Sequence, residues 1–501
     1  MREGGRPRSA CSEGAAIGSH GSTRRLLVLG AVLAVAVVAA LRLPRGALPD
    51  VERGWLRDDD GRLPDVVLLT VDTLRADHVY GVAPADWHLT PALERLAARG
   101  TLFEGTRAPA TATKPGLAGL MTGSYPHRHT VTSNFGSVPV DVPLLASILQ
   151  QHGYATAAVI GNRVINERSG LLRGFKDVAT SVDKNKVSHD PVAVDLALAW
   201  LATAPRRPWL LWLHLMAPHG PYDSSPQAAA AREARDPLPD TELRPSSSNY
   251  GLGPIIPRYQ ILRLPPQAAL YRERYRDEVV FVDAQIERFL DELRKRGHGS
   301  ALVIFTADHG EGLGEADYFF QHGWLVNDPS LRVPMIWSRP GRVAQNHRVA
   351  ATTSLVDVLP TLLAGLGLDA PPLDGADLSA SLLGHTASDR EVFGLSAYPN
   401  EVSTAVRGAW KLVHTPPPPS PLPDDHWHDD YPTQESWVLH DLGRDPLETR
   451  DASAEAPQIF AELRDRLRAW ERANGLPSGF RGRPQVDPGT AEGLRALGYL
   501  D

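Results

Sequence analysis

The feature that most constrains this chain is a repeated alternation, beginning at Asp65, of short apolar runs with segments of helical period. The apolar runs cover residues 66–69, 155–160, 209–215 and 301–305, and the helical patterns cover residues 90–99, 192–204 and 274–296. Such alternation is typical of an α/β protein in which helices connect the strands of a parallel sheet. It predicts that functional side chains lie at the carboxyl ends of the strands.

The charge and cysteine content exclude several classes of protein. The 501 residues include 52 Lys and Arg against 59 Asp and Glu, giving a net charge of −7. The chain therefore lacks the basic excess of a nucleic-acid-binding protein, and no nucleic acid partner is expected. The single cysteine, Cys11, lies in a Gly- and Ser-rich leader. A disulfide scaffold is excluded, and so is a catalytic thiol in the folded part of the chain.

An uncharged apolar segment, residues 26–41, follows Arg24 and Arg25. It is shorter than the roughly 20 residues that span a bilayer comfortably, which fits either the core of a signal peptide or a short membrane anchor. The polar leader, residues 1–25, has five Arg and two Glu, and this excess favours its retention in the cytosol. We therefore expect an exported, extracytoplasmic protein. It would be anchored in the membrane through residues 26–41 if they are not cleaved, and periplasmic or secreted if they are.

The rest of the chain divides into a linker and two folded regions. We assign residues 42–64 to the linker and residues 65–366 to a catalytic domain. Within that domain, residues 222–266 are rich in Pro, Ala and Arg and lack a period, so they are interpreted as a surface insertion that covers the substrate entrance. After the catalytic domain, the apolar runs become short and a last helical pattern follows. This change predicts a C-terminal subdomain over residues 367–501.

Acidic and histidine side chains follow two of the apolar runs. Asp72 comes after the first run, and Asp308 and His309 come after the run at 301–305. An unpaired buried carboxylate is costly, so Asp72 is expected to face a crevice or a cation. Asp308 and His309 suit either a divalent metal, bound through one oxygen and one nitrogen, or a buried Asp–His hydrogen bond.

Two further segments carry candidate nucleophilic and acid groups. Pro115 fixes the first turn of a helix, so Thr113 is expected just ahead of the helix N-terminus. There it serves either as an N-cap or as a nucleophile activated by a metal. His219 lies in a turn bounded by Pro and Gly after the run at 209–215 and should point into the same crevice. His214, inside that run, is expected to be packed.

Together these segments resemble the sulfatase family of the alkaline phosphatase superfamily, and the resemblance extends from Asp65 to the C-terminus. It is carried by Val71–His78, Thr113–Pro115 with Thr122–His129, Pro218–Tyr222, Ala307–Glu311, Gln321–Gly323, Leu331–Pro334, Leu355–Leu362, Leu439–Glu448 and Leu494–Tyr499. The resemblance implies an alkaline phosphatase-like α/β/α sandwich with a mixed, mainly parallel sheet. It also implies a smaller C-terminal α+β domain with a short antiparallel sheet.

The resemblance also implies roles for individual residues. Metal ligation falls to Asp72, Asp308 and His309, and the nucleophile is Thr113. Asn134 becomes a candidate oxyanion donor, since relatives with phosphodiesterase or phosphonate activity have an asparagine at that interval after the nucleophile. The acid and substrate-binding groups are His219 and His322, and Lys114 helps to stabilise the charge of the bound ester.

The sequence departs from the family pattern at four positions, one of which is His309, where the family has an amide. Typical sulfatases have Cys or Ser, converted to formylglycine, where this chain has Thr113, and Arg where it has Leu117. Since threonine cannot be oxidised to that aldehyde, no formylglycine is expected. Thr73 stands where a second acid is usual. The remaining ligand set favours one divalent ion, Mn²⁺ or Zn²⁺, with Ca²⁺ as the alternative.

The main hypothesis is a metal-dependent hydrolase of sulfate or of phosphate and phosphonate esters with a Thr113 nucleophile. Its substrate is expected to be a small-molecule, glycan or lipid head-group ester. A covalent Thr–sulfate is hard to hydrolyse at its S–O bond, which favours phosphorus esters, whereas the family pattern favours sulfate esters. Two alternatives stay open: a transferase of phosphorylated envelope head groups, and an inactive sulfatase-like binding protein.

Overall fold

Two neighbouring and fully buried β-strands, Val66–Val71 and Leu302–Ala307, lie at the centre of the main sheet in the computed structural model. The structure describes residues 51–182, 189–223, 226–397, 401–417 and 434–476. The leader and the apolar segment 26–41 lie outside these residues, so export and anchoring stay predictions. Within the described ranges, no helix combines the length and apolar character that crossing a membrane requires.

Eight strands form the main sheet, in the order β12-β2-β11-β8-β1-β5-β3-β4. Neighbouring strands run parallel except at β11, which is antiparallel to both β2 and β8. The strands of this sheet are β1 (Val66–Val71), β2 (Thr101–Arg107), β3 (Ala155–Ile160), β4 (Asp177–Thr180), β5 (Trp209–Leu215), β8 (Leu302–Ala307), β11 (Met335–Ser338) and β12 (His347–Ser354). Two short pairs lie outside it: β6 (Arg244–Pro245) with β7 (Ile255–Ile256), and β9 (Gly312–Leu313) with β10 (Phe319–Gln321).

Every residue of β1, β5 and β8 is buried, as expected for parallel strands covered on both faces. The helices are α1 (Pro91–Ala98), α2 (Thr113–Thr122), α3 (Pro126–His129), α4 (Leu145–Gln151), α5 (Asp190–Ala202), α6 (Ala229–Glu233), α7 (Ala268–Lys295), α8 (Asp328–Leu331), α9 (Val358–Leu366), α10 (Ser379–Leu382) and α11 (Pro457–Ala473). Single 3₁₀ turns cover Ala76–His78, Glu167–Ser169, Arg258–Gln260, Glu315–Asp317 and Leu355–Asp357. This architecture confirms the predicted α/β/α sandwich with a mixed, mainly parallel sheet.

The C-terminal subdomain contains an antiparallel sheet and the last described helix. Its strands, in the order β13-β14-β15-β16, are β13 (Val392–Leu395), β14 (Ser403–Arg407), β15 (Trp410–Thr415) and β16 (Ser436–Asp441). The apolar face of α11 packs against β14 and β15 through Leu463 and Leu467, both fully buried. The predicted short antiparallel sheet is therefore confirmed.

Backbone hydrogen bonds tie this subdomain to the segment that enters α2. Thr111 N–H donates to Leu395 O at 3.2 Å, and Leu395 N–H donates to Pro109 O at 3.1 Å. Side chains add a second tie, because the fully buried Lys411 ammonium pairs with Glu448 at 2.6 Å and Glu448 also accepts from the backbone N–H of Asp328. The C-terminal subdomain thus holds loops of the main domain in place.

The insertion, residues 222–266, is anchored to α7 by polar contacts. Asp236 pairs with Arg272 at 2.5 Å, and Asp277 accepts from Ala228 N–H at 2.7 Å. Near the C-terminal end of the insertion, Gln260 Oε1 accepts from Tyr222 N–H at 3.1 Å. The Gln260 amide also packs against Gly220, where an added Cβ would lie 2.3 Å from Gln260 Nε2. The insertion therefore packs on the turn that carries His219, while its expected role at the substrate entrance stays a prediction.

Part of the segment assigned to a linker is folded. From Val51 onward it is described, and there Gly54 N–H donates to Ala364 O at 2.9 Å. Leu56 is fully buried against Gly365 of α9. This part of the chain contributes to the main hydrophobic core.

At Gly116, α2 lies directly against Asp308, the residue that follows β8. A Cβ at this position would lie 2.4 Å from the carbonyl oxygen of Asp308. Because real Cβ atoms do not come so close to a backbone atom, only glycine allows the helix to lie directly on the end of β8.

We expect Gly116→Ala to destabilise the protein by about 1–3 kcal/mol, since the added methyl must push α2 away from Asp308. This cost outweighs the roughly 1 kcal/mol by which alanine favours a helix over glycine. Urea unfolding measures the change. Gly299→Ala is the control, because its new Cβ would meet only a flexible Arg294 side-chain carbon at 3.6 Å. Equal stability of the Gly116→Ala variant and the wild type would contradict the close contact.

Candidate active site

The strand register brings two carboxylates together. β1 and β8 are parallel neighbours whose last residues, Val71 and Ala307, pair with each other. Asp72 and Asp308 are the next residues of the two strands, so both side chains emerge at the same edge of the sheet. Both are fully buried, as is His309. His309 Nε2 lies 3.6 Å from Asp72 Oδ1 and 3.7 Å from Asp308 Oδ2.

These three residues fit a divalent metal ion. One oxygen of each carboxylate, Asp72 Oδ1 and Asp308 Oδ2, is buried without a hydrogen-bond partner. His309 Nδ1–H donates to Gly310 O at 2.8 Å, a bond that leaves Nε2 with a lone pair facing the carboxylates. The three ligand atoms lie within 4.8 Å of one another. An Asp–His hydrogen bond, the alternative suggested by the sequence, is not formed by His309 Nε2 at these distances.

The electrostatics of the cluster favour a cation. Burial and the nearby Asp72 carboxylate raise the pKa of Asp308 well above its ordinary value. Burial also opposes ionisation of Asp72, but the neighbouring histidines, with His219 the strongest, outweigh it and lower the pKa of Asp72. Burial lowers the pKa of His309 to about 3, so its ring is neutral near pH 7. Two close carboxylates beside a neutral imidazole form a typical cation site.

Thr113 is the first residue of α2, and Ala112 is the N-cap. The sequence analysis expected Thr113 one position earlier, and its alternative role as the N-cap is not observed. No side chain caps this helix. The Thr113 hydroxyl is instead buried and lies 3.5 Å from His309 Nε2, at the edge of the Asp72–Asp308–His309 cluster. The helix N-terminus therefore directs this hydroxyl at the candidate metal site.

Asn134 and Lys114 meet beside Thr113. The backbone N–H of Lys114 donates to Asn134 Oδ1 at 2.8 Å, and the Lys114 ammonium donates to Gly136 O at 3.3 Å. Both side chains are buried. Burial lowers the pKa of Lys114 to about 8. The loop of residues 134–136 is thus bound to the start of α2, within one residue of Thr113.

His219 and His322 complete the group. The rings of His322 and His309 have centroids 4.4 Å apart, and the ring of His219 lies 5.1 Å from that of His322. His219 Nδ1–H donates to Gly220 O at 2.7 Å, and His322 Nδ1 lies 3.2 Å from Glu311 Oε1. Burial lowers the pKa of both histidines, that of His322 to about 4. All eight side chains singled out from the sequence therefore lie in one buried neighbourhood.

Two residues around Asp72 were missed by the sequence analysis. Asn162 follows β3 after one glycine, and its Nδ2–H₂ donates to Asp72 Oδ2 at 2.5 Å. His214 is packed in β5 as expected, but its Nε2 also lies 3.5 Å from Asp72 Oδ2. Its Nδ1 lies 2.8 Å from Thr70 Oγ1. The position of Asn162 just beyond a buried strand was a usable signal, since the same reasoning selected Asp72.

A third missed residue is Glu311, which is fully buried near His322. Burial raises its pKa to about 8. It is the last residue of the segment Ala307–Glu311, which carries part of the family resemblance, but no role was predicted for Glu311. Its contact with Nδ1 of His322 orients that ring.

Comparison with known proteins agrees with this architecture. The sequence profile of the sulfatase family, described as "Sulfatase", matches residues 64–368. Choline-sulfatase of Rhizobium meliloti is 26% identical over 425 residues, covering 72% of this chain and 80% of the relative. The Δ4,5-hexuronate-2-O-sulfatase of Bacteroides thetaiotaomicron is 24% identical, covering 80% of this chain and 87% of the relative.

Solved structures show the same fold. The phosphonate monoester hydrolase of Agrobacterium radiobacter superposes with a TM-score of 0.65 at 21% identity, covering 82% of this chain and 96% of that protein. Because the family profile covers more than half of the chain, this protein belongs to the sulfatase family.

Proposed function

We propose that this protein is a metal-dependent ester hydrolase that cleaves sulfate or phosphate and phosphonate esters with Thr113 as the nucleophile. The observation that carries the proposal is the Thr113 hydroxyl 3.5 Å from His309 Nε2, beside two buried carboxylate oxygens that lack hydrogen-bond partners. Both sulfatases and a phosphonate monoester hydrolase are among the similar proteins. Their names support the reaction class and leave the choice of sulfate or phosphorus ester to experiment.

Asp72, Asp308 and His309 would hold one divalent ion, for which Mn²⁺ or Zn²⁺ suits the mixed oxygen and nitrogen ligands better than Ca²⁺. Bound there, the ion would supply the positive charge that favours an ionised Thr113 hydroxyl and neutralises the oxygens of the ester. Asn162 and His214 would orient Asp72, since both contact its Oδ2.

The remaining groups support an in-line displacement. The Thr113 hydroxyl gives its proton to water, and its Oγ1 forms a bond to phosphorus or sulfur while the bond to the alcohol oxygen breaks. His219 or His322 gives that oxygen a proton. Lys114, Asn134 and the N-terminus of α2 stabilise the negative charge on the oxygens that do not react. Water then attacks the covalent Thr113 ester, which releases the acid and restores the hydroxyl.

Thr113→Ala should lower kcat by about 10³-fold or more, because the covalent step loses its nucleophile. Hydrolysis of an aryl sulfate, an aryl phosphate diester and an aryl phosphonate monoester in the presence of Mn²⁺ identifies the preferred ester. Bound metal is measured on the same variant, so that loss of the ion is distinguished from loss of the nucleophile.

The matched control is Thr122→Ala in the same helix, whose hydroxyl donates to Ala118 O away from the cluster. Full activity of Thr113→Ala would show that the nucleophile is misassigned. Absence of turnover of all three esters by the wild type would contradict the proposed reaction class.

Asn162→Ala should weaken Mn²⁺ or Zn²⁺ binding by about 10–100-fold, because Asp72 loses the amide that orients it. Competition with a chelator measures the affinity. Asn166→Ala is the control: its side chain lies in the same loop but bonds only to loop backbone at Arg168 and Arg163. If both variants bind the metal equally weakly, the structure of the loop, and not the contact between Asn162 and Asp72, determines the metal affinity.

The ionisation of Lys114 should set the alkaline limb of the pH profile of kcat/KM. With a pKa of about 8, its ammonium is protonated below that pH and is lost as the pH rises through it. We therefore expect kcat/KM to fall above about pH 8. Lys114→Met should remove this limb and lower kcat/KM near pH 7 by about 10-fold or more, since a charge-assisted contact to the ester is lost. An unchanged limb in Lys114→Met would refute this role, and the exposed Lys176→Met serves as the control.

A further inference from the structure

A second concave region lies beside the candidate active site, at the carboxyl ends of β3 and β4. It is a cavity of about 360 Å³ whose wall is mainly apolar, formed by Ile160, Ile165, Leu172 and Val178. Asn162, Arg163 and Glu167 contribute polar groups. We call it the Arg163 cavity. Its volume is in the range of small-molecule sites. Of its lining residues, only Asn162 has a role in the chemistry proposed above, where it orients Asp72.

Asn162 connects this cavity to the metal cluster. Asn162 is one of the residues that line the cavity, and its side chain donates to Asp72 Oδ2 at 2.5 Å. The sheet order β1-β5-β3-β4 sets the separation: β3 and β4 are two and three strands from β1, about 10–14 Å at the usual spacing. An ester whose acid group reaches the cluster would extend its organic part over this distance.

Arg163 is the unusual group in this cavity. Its guanidinium is partly buried, and within the described ranges its Nη1 has neither solvent contact nor a hydrogen-bond partner. No described carboxylate pairs with it; even the exposed Glu167 of the same cavity does not. Burial lowers the pKa of Arg163. By contrast, Arg173 nearby donates to three backbone carbonyls, those of Val140, Val142 and Gly170.

A partly buried guanidinium whose Nη1 has no partner among the described residues is suited to bind an anion. Leaving the buried Nη1 unsatisfied costs free energy, and a planar oxyanion such as a carboxylate accepts from two guanidinium N–H groups at once. The apolar wall beside it suits a carbon skeleton. The cavity therefore combines one anion-binding group with hydrophobic surface, next to the site of ester cleavage.

We propose that the Arg163 cavity is a subsite for the organic part of the substrate, in which Arg163 pairs with a second anionic group carried by that part. The inference rests on the proposed hydrolase function and specifies its substrate class: esters that carry, beyond the cleaved group, an apolar spacer and a carboxylate or a further acidic ester. Arg163 is then a specificity residue that touches the substrate away from the reacting atoms.

A pair of esters tests the subsite. Biphenyl-4-yl esters of the preferred acid, with and without a 4′-carboxylate, are compared by kcat/KM in the wild type. The carboxylate should raise kcat/KM by about tenfold, mainly through KM, because it adds one charge-assisted ion pair. Arg163→Met should abolish this preference, Arg163→Lys should restore part of it, and the exposed Arg168→Met should keep it. A preference that is absent from the wild type, or that survives in Arg163→Met, overturns the proposal.

A binding measurement separates this proposal from the hydrolase proposal. Calorimetric titration with 4′-hydroxybiphenyl-4-carboxylate, the alcohol that hydrolysis would release, needs no turnover. Arg163→Met should bind it at least tenfold more weakly than the wild type does, whereas Thr113→Ala should bind it like the wild type. Equal binding by Arg163→Met and the wild type overturns the subsite even if the esters are hydrolysed. Weaker binding with no ester turnover supports the subsite and contradicts the hydrolase.

Discussion

The pairing of β1 with β8 is the constraint on which the site depends. Because Val71 and Ala307 are partners in the sheet, the next residue of each strand is an aspartate at the same buried edge. Burial, together with the nearby Asp72 carboxylate, raises the pKa of Asp308, so ionising both carboxylates at once is costly without a cation. The fold tolerates them through hydrogen bonds from Asn162 and from the backbone N–H groups of Thr73 and His309. Each of these bonds leaves one carboxylate oxygen directed inwards.

Contacts between the catalytic domain and the C-terminal subdomain stabilise the position of the two carboxylates. α2 can lie on Asp308 only because residue 116 is glycine, and the chain that leads into α2 is hydrogen-bonded to β13 of the C-terminal subdomain. Glu448 of that subdomain, paired with the buried Lys411, accepts from the first residue of α8. α8 in turn packs on Gly310, where a Cβ would lie 1.9 Å from Pro329 O. The subdomain thus supports the Asp72–Asp308–His309 cluster from two sides: through the segment that leads to Thr113, and through α8, which packs beside His309.

The sequence was informative wherever a single residue follows a strongly apolar run. Asp72 and Asp308 were predicted from their positions alone, since a carboxylate cannot stay inside a buried strand without a partner. The start of α2 was predicted within one residue. Its N-cap residue was not, because the Thr113 hydroxyl contacts His309 instead of capping the helix, and this tertiary contact cannot be read from the local sequence. His214 carried no signal: its burial in β5 was expected, and its contact with Asp72 arises from strand pairing that the sequence does not encode locally.

The same electrostatics explain why metal and substrate binding should be coupled. Without a cation, the site contains the ionised Asp72 and three histidines whose pKa values are lowered by burial, so an anionic ester would meet no net positive charge except at Lys114. A divalent ion held by Asp72 and Asp308 would favour ionisation of both carboxylates and balance their two charges, so an anionic ester would no longer meet a net negative site. The ester's own negative charge would then favour a protonated His219 or His322, which is the state a general acid needs. The buried pair of carboxylates at the ends of β1 and β8 would therefore couple binding of the ester to binding of the ion.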